Sequence, residues 1–133
     1  MIPSNSEFLT VDLQELNQPS LTYKLNIDAE TVVGMCDDLE AMKQAIYKII
    51  NTERYRYLIY SWNYGVELEE LFGEPISYCI PEIERRITEA LMQDDRIINV
   101  YNFEFEHHGR VVSTTFTVET VFGNVEIERD VAI

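Results

Sequence analysis

The sequence predicts an α+β fold in a single small domain: two main helices packed on a short antiparallel sheet, with a C-terminal three-stranded meander. Three observations predict it. Two stretches, about 38–52 and 81–93, place apolar residues on one helical face. From residue 97 onward apolar and polar residues alternate, interrupted by glycine-containing turns. Hydrophobic residues make up 46% of 133 positions, enough for one core and cramped for two.

Residues 1–20 read as an extended arm, without helical periodicity and punctuated by Pro3, Asn17, Gln18 and Pro19. Residues 21–133 are the expected α+β domain. Tyr23, Leu25 and Ile27 alternate with Thr22, Lys24 and Asn26 as in a half-buried strand, and Thr31–Gly34 continues it as a hairpin. Asp37 with Glu40 three places on forms a capping-box variant before the first helix. Its buried face is Leu39, Met42, Ala45, Ile46, Ile49 and Ile50. Residues 55–60 are aromatic and β-prone, Asn63-Tyr64-Gly65 makes a turn, and Val66–Phe72 is a short helix closed by Gly73. The second long helix is expected to start at Pro81 and to end near Gln93-Asp94-Asp95. Ile83, Ile87, Ala90 and Leu91 form its buried stripe, and Glu82–Arg86 is an i,i+4 pair worth about 0.3 kcal/mol.

Three strands follow, about 97–107, 110–121 and 125–130, with turns centred on His108-Gly109 and Gly123-Asn124. These turns set Phe105 opposite Val112, Phe103 opposite Thr114 and Tyr101 opposite Phe116; the second sets Phe122 opposite Val125 and Thr120 opposite Ile127. All land on one face, so Tyr101, Phe103, Phe105 and Phe116 are the expected core of the sheet. The other face carries Glu104, Glu106, Glu119, Glu126 and Glu128, with Glu119 and Glu128 directly opposed. Five acids there suit cation binding, docking of a basic partner, or resistance to edge-to-edge aggregation.

Charge excludes several classes. The 24 acids and 10 bases give a net charge of −14, which repels phosphate backbones and anionic headgroups. No nucleic-acid or membrane partner is expected. Residues 67–133 hold fifteen of the acids and only five of the bases, so this half carries most of the field. No apolar run approaches a membrane span, and Met1–Glu7 has neither the basic nor the apolar region of a signal peptide. Cys36 and Cys79 are neither a disulfide framework nor metal-spaced.

Catalytic constellations are poor. His107 and His108 are adjacent and lack the companions of a metal site. Cys79 lies among Ile76, Tyr78, Ile80 and Glu82, with nothing to stabilise a thiolate. Glu67, Glu69, Glu70 and Glu74 are the carboxylates from which a glycosidase pair would be drawn, but they lie on a wet acidic segment. No metal, cofactor or catalytic residue is expected. The aromatic run Tyr55, Tyr57, Tyr60, Trp62 and Tyr64, taken as a strand, would bury about half its members and leave the rest as interface anchors, Trp62 and Tyr64 among them.

Four segments in order, Thr52-Glu53-Arg54, Tyr64–Pro75, Ile83–Leu91 and Asp94-Asp95-Arg96-Ile97, resemble the small baseplate wedge proteins of contractile phage tails. This is the lysozyme-like-named wedge family, which type VI secretion systems also carry. The likeness is greatest to the branch in PBSX-like prophages and tail-derived bacteriocins, and it spans nearly the whole chain after about residue 20. The wider family reads Glu-Pro-Arg after the long helix; here Asp94 and Arg96 keep the acid and the arginine, and Asp95 replaces the proline.

The resemblance implies a structural, non-enzymatic subunit of the inner baseplate that joins wedge subunits to the first sheath ring by strand addition and helix packing. The implied partners are other wedge proteins, the tail sheath protein and tail tube or hub proteins, in a tail particle assembled in the bacterial cytoplasm. Asp94 and Arg96 are the expected organising ion pair. The partner-binding set is Asp94, Arg96, Glu104, Glu106, Glu119, Glu126, Glu128, Tyr64 and Trp62. The rival reading is a tail-associated peptidoglycan hydrolase.

Overall fold

The computed structural model describes residues 20–133; the expected arm at 1–20 lies almost wholly outside them. The order is β1 (Thr22–Asn26), β2 (Thr31–Cys36), α1 (Asp38–Ile50), a 3-10 turn (Glu69–Leu71), α2 (Ile76–Leu91), β3 (Ile97–His108), β4 (Val111–Thr120) and β5 (Gly123–Ala132). Strands β1 and β2 form a separate antiparallel hairpin, and β3-β4-β5 form the three-stranded meander. The α+β class and the two-helix, meander arrangement are as the sequence predicts.

Helix α1 follows from its pattern. Asp37 caps it by accepting from the Asp38 N–H (2.7 Å) and from the Ser20 hydroxyl. The capping box does not close, because Glu40 turns outward to Lys24 (2.9 Å). Met42, Ile46, Ile49 and Ile50 are buried, as their spacing requires. Helix α2 starts five residues before the expected Pro81. Pro75 precedes its first residue, and the Tyr78 and Cys79 N–H groups both donate to Pro75 O (3.0 Å each). Pro81 lies inside the second turn, where its missing N–H forgoes one helical bond. The buried stripe reaches back to Cys79, four residues before Ile83, then runs through Ile87, Ala90 and Leu91. Val66–Phe72 contracts to the 3-10 turn.

In the meander both turns move, and the faces do not. The first loop is Gly109-Arg110, which puts His108 opposite Val111, His107 opposite Val112 and Phe105 opposite Thr114. The second is Val121-Phe122, which puts Thr120 opposite Gly123, Val118 opposite Val125 and Phe116 opposite Ile127. The Thr120 hydroxyl organises that turn, accepting from Phe122 N–H (3.1 Å) and donating to Gly123 O (2.7 Å). The registers shift by two and by four residues, both even, so every β4 and β5 side chain keeps its face.

Tyr101 is the exception. Strand β3 has irregularities between Ile97 and Asn99 and between Tyr101 and Glu104. Asn102, in the second, takes φ +58°, which asparagine tolerates. The extra residue turns Tyr101 outward beside Thr117, while Val100 takes the core position against Val118. Phe103 and Phe105 remain on the core side, and the Phe103 ring stacks on Phe116 (5.1 Å).

The N-terminal hairpin buries less than its alternation predicts. Tyr23 and Ile27 are exposed, Leu25 and Thr22 are partly covered, and Cys36 at the end of β2 is the one buried residue. Gln44 of α1 clamps β1, accepting from Leu25 N–H and donating to Tyr23 O (2.7 Å each). Residues 55–60 are a succession of turns rather than a strand.

Candidate docking surfaces

The first candidate surface is the corner between α2 and β3. Arg96 grips Asp94 through two side-chain bonds, Nε–Oδ1 (3.0 Å) and Nη2–Oδ2 (2.8 Å). The Arg96 N–H adds a third, to Oδ1 (2.9 Å). Both side chains are largely buried, at 12% and 14% exposure. Burial pushes the Asp94 carboxyl up, but the Arg96 bonds outweigh it and hold the group below the usual carboxylate range. The backbone closes around the pair: Ile97 N–H donates to Asp94 O and Val121 N–H to Arg96 O (3.1 and 3.0 Å). The expected ion pair therefore forms without the family's proline, and it ties the helix end to the first and second strands of the meander.

Tyr64 joins this corner. With Asp94 and Arg96 it lines a recess of about 580 Å³ between α1, the end of α2 and the loop at 61–65. Its ring stacks on Tyr60 (4.5 Å). Burial pushes the phenol up, and Tyr60 and Asp94 add to the effect, so it stays neutral. Trp62 is 81% exposed and does not line the recess.

The second surface is the outer face of the meander. Glu104 and Glu128 flank Thr115, Glu106 and Asp130 flank Ser113, and Glu126 faces Thr117. Glu119 lies on the central strand opposite Asn124 and Asn99, so the expected Glu119–Glu128 opposition does not occur. The cause is the displaced second turn. Acids on β3 and β5 are separated by a row of hydroxyls, roughly 10 Å across two strand spacings, where salt screens their repulsion. All five expected acids share this face; Glu119, opposite Asn99, lies at its end nearest the Asp94–Arg96 corner.

A third surface was not legible as a site. Strand β5 pairs with β4 through ten consecutive residues without a bulge, and no second strand pairs with it among the described residues. Beside it runs a groove of about 580 Å³ whose apolar walls include Leu25, Ile27, Tyr47, Val125 and Ile127. Signals existed in the sequence, in the exposed hairpin apolars and the regular β5 alternation, but only the fold brings them together.

The carboxylates of the rival hydrolase reading hold arginines. Arg54 bonds Glu67 (3.3 Å) and Glu89 (3.2 Å), Arg56 bonds Glu69, and Arg86 bonds Glu70 and Glu82 (3.1 Å each). Glu74 is exposed. Burial raises the Glu53 carboxyl, but its two oxygens accept from Leu68 and Glu69 N–H (3.1 and 3.3 Å), a structural use. The Cys79 thiol is buried and pushed up by that burial, donating weakly to Leu71 O (3.6 Å). His107 and His108 are exposed at the end of β3, and no group of three or more potential metal ligands occurs among the described residues. No described helix is long and apolar enough to cross a membrane.

The sequence profile of the contractile injection system sheath initiators matches residues 20–123, from the start of the β1–β2 hairpin to the β4–β5 turn. The "Phage-like element PBSX protein XkdS" of Bacillus subtilis (strain 168) is 39% identical over 127 residues, covering 92% of this chain and 90% of that protein. A match over most of the domain and a full-length relative together place the protein: the chain belongs to the contractile injection system sheath initiator family, and it is a structural component of a contractile tail.

Proposed function

We propose that this chain joins the baseplate wedge to the first sheath ring, and that a sheath segment docks by adding a strand to the open edge of β5. The regular, unbulged β5 edge beside an apolar groove is the observation that carries the reading. An incoming strand gains main-chain hydrogen bonds from β5 and places alternate apolar side chains against Leu25, Ile27 and Tyr47. The β3 edge is the poorer template, because its two irregularities twist and interrupt it. The acidic outer face supplies long-range attraction for a basic partner and sets its orientation. The Asp94–Arg96 corner holds the wedge side, with Tyr64 in the same recess. The work is mechanical adhesion, and the clustered carboxylates serve as ion-pair partners rather than as acid and base.

Ile27→Asp tests the groove directly. Ile27 is 52% exposed, so the folded monomer tolerates the change. A carboxylate there meets the incoming apolar strand with a desolvation penalty. Baseplates carrying I27D are expected to recruit little sheath, as counted by electron microscopy. Normal sheath polymerisation on folded I27D baseplates refutes the β5 groove.

A further inference from the structure

Residues 54–64 leave the body and return through a narrow neck. Val66 N–H donates to Thr52 O (2.9 Å), Arg54 N–H donates to Val66 O (3.2 Å), and Arg54 Nε donates to Gly65 O (3.3 Å). The Arg54 side chain is 10% exposed, and its guanidinium is pinned by Glu67 and Glu89. Arg56 is tied to Glu69. Within the loop Tyr57 meets Tyr60 edge-on (6.2 Å), and Tyr60 stacks on Tyr64. This is a compact Ω-loop on a braced base.

Its tip is apolar and bare. Leu58 is fully exposed, Ile59 is 85% exposed and Trp62 is 81% exposed. Residues 57–66 contain no charge, in a chain where 26% of residues are charged. A solvated loop in so acidic a protein has no need of two adjacent aliphatics and the chain's single tryptophan. None of the three belongs to the hydrophobic core cluster, so none is held in place by the fold's own packing.

We infer that this tip is a plug for a second protein partner in the baseplate, entering a neutral apolar pocket whose rim is basic. The uncharged tip matches an uncharged pocket floor. The acids around the loop's base, Glu53, Glu67, Glu69, Glu70, Glu82 and Glu89, outnumber the arginines paired with them, Arg54, Arg56, Arg85 and Arg86, and this excess, with the net charge of −14, matches a positive rim. A protein fits better than a membrane surface, because the loop brings no free basic side chain to headgroups and the net charge of −14 repels anionic lipid. Aromatic and aliphatic anchors on a rigid frame carry most of the binding free energy in such contacts.

Trp62 supplies the readout. The full chain labelled with 5-fluorotryptophan gives one fluorine resonance, at the tip itself. It is titrated with the baseplate subcomplex expressed from the same tail gene cluster without this chain, and separately with phosphatidylcholine vesicles. The resonance is expected to shift with the subcomplex and to stay unchanged with vesicles. The double variant Leu58→Ser with Ile59→Ser is expected to bind the subcomplex roughly 100-fold more weakly, at an unaltered melting temperature, from the lost burial of two large aliphatics. An unshifted resonance in the bound complex overturns the inference, as does equal affinity of the double variant, no binding to the subcomplex, or a shift with vesicles.

Discussion

Gly65→Ala is the most informative single change, because two separable costs meet at one atom. Gly65 has φ +93°, a region where an alanine side chain is strained by roughly 1–2 kcal/mol. Its added Cβ would also lie 2.5 Å from Thr52 O, 3.2 Å from Arg54 N and 3.3 Å from Glu53 C, all backbone atoms. Backbone cannot rotate away, so the neck of the loop must open. Opening it stretches the Val66–Thr52 and Arg54–Val66 hydrogen bonds, each worth about 1 kcal/mol. The total is roughly 3–4 kcal/mol, a large share of the ~5–15 kcal/mol that holds a domain of this kind folded. Gly73→Ala is the control: φ is +87°, but no atom lies within 4 Å of the added Cβ. It bears the backbone strain alone. Calorimetry or thermal circular dichroism of both variants isolates the steric part. At about 4 °C per kcal/mol for a chain this size, G65A is expected to melt some 12–16 °C below the parent and G73A only 4–8 °C below. Equal melting temperatures for the two variants refute the pinched-neck account.

Three further outcomes follow from the same geometry. Arg96→Ala leaves the largely buried Asp94 without its ion-pair partner, and is expected to destabilise by about 2–3 kcal/mol in a denaturant titration. The parent's gain from this pair is present above the unfolded carboxylate value and is lost as pH falls through the depressed folded value of Asp94, so the R96A deficit is expected to shrink below about pH 4. Thr114→Val removes a wholly buried hydroxyl that finds no partner among the described residues, and is expected to raise stability by about 1 kcal/mol; a lower melting temperature contradicts that. Glu126→Lys with Glu128→Lys reverses charge on the outer face without touching the core, and is expected to slow sheath recruitment at low salt, with unchanged assembly refuting a docking role for that face.

The helices and the faces of the meander were legible because burial imposes a period that a local change cannot hide. Ile83, Ile87 and Leu91 have one inward side whatever residue begins the helix. Displaced turns left β4 and β5 facing as expected because both displacements were even. Tyr101 was misplaced because the irregularity at Asn102 adds a residue without announcing itself as a turn, although asparagines at 99 and 102 in a strand are its trace. The aromatic run was read as a strand from β propensity, which reports fit to a half-buried surface. No such surface exists there, because the Arg54 and Glu53 contacts pull the chain ends together and expel what lies between. Of the candidate site, the Asp94–Arg96 pair was legible only through the family resemblance, and the acidic face from alternation. Leu58 and Ile59 were missed, although the charge-free run around them was visible. The β5 groove was beyond reach, since Leu25 and Ile127 meet only in three dimensions.

The proposed sheath contact runs along the backbone of β5. Half of its amides face away from β4 and exchange freely with water in the isolated protein. Hydrogen–deuterium exchange of residues 123–132, compared between the free chain and sheathed baseplates, is the direct measurement. Strand addition predicts strong protection at alternating β5 positions on sheath assembly, with β3 amides little changed. Protection that leaves β5 untouched contradicts it.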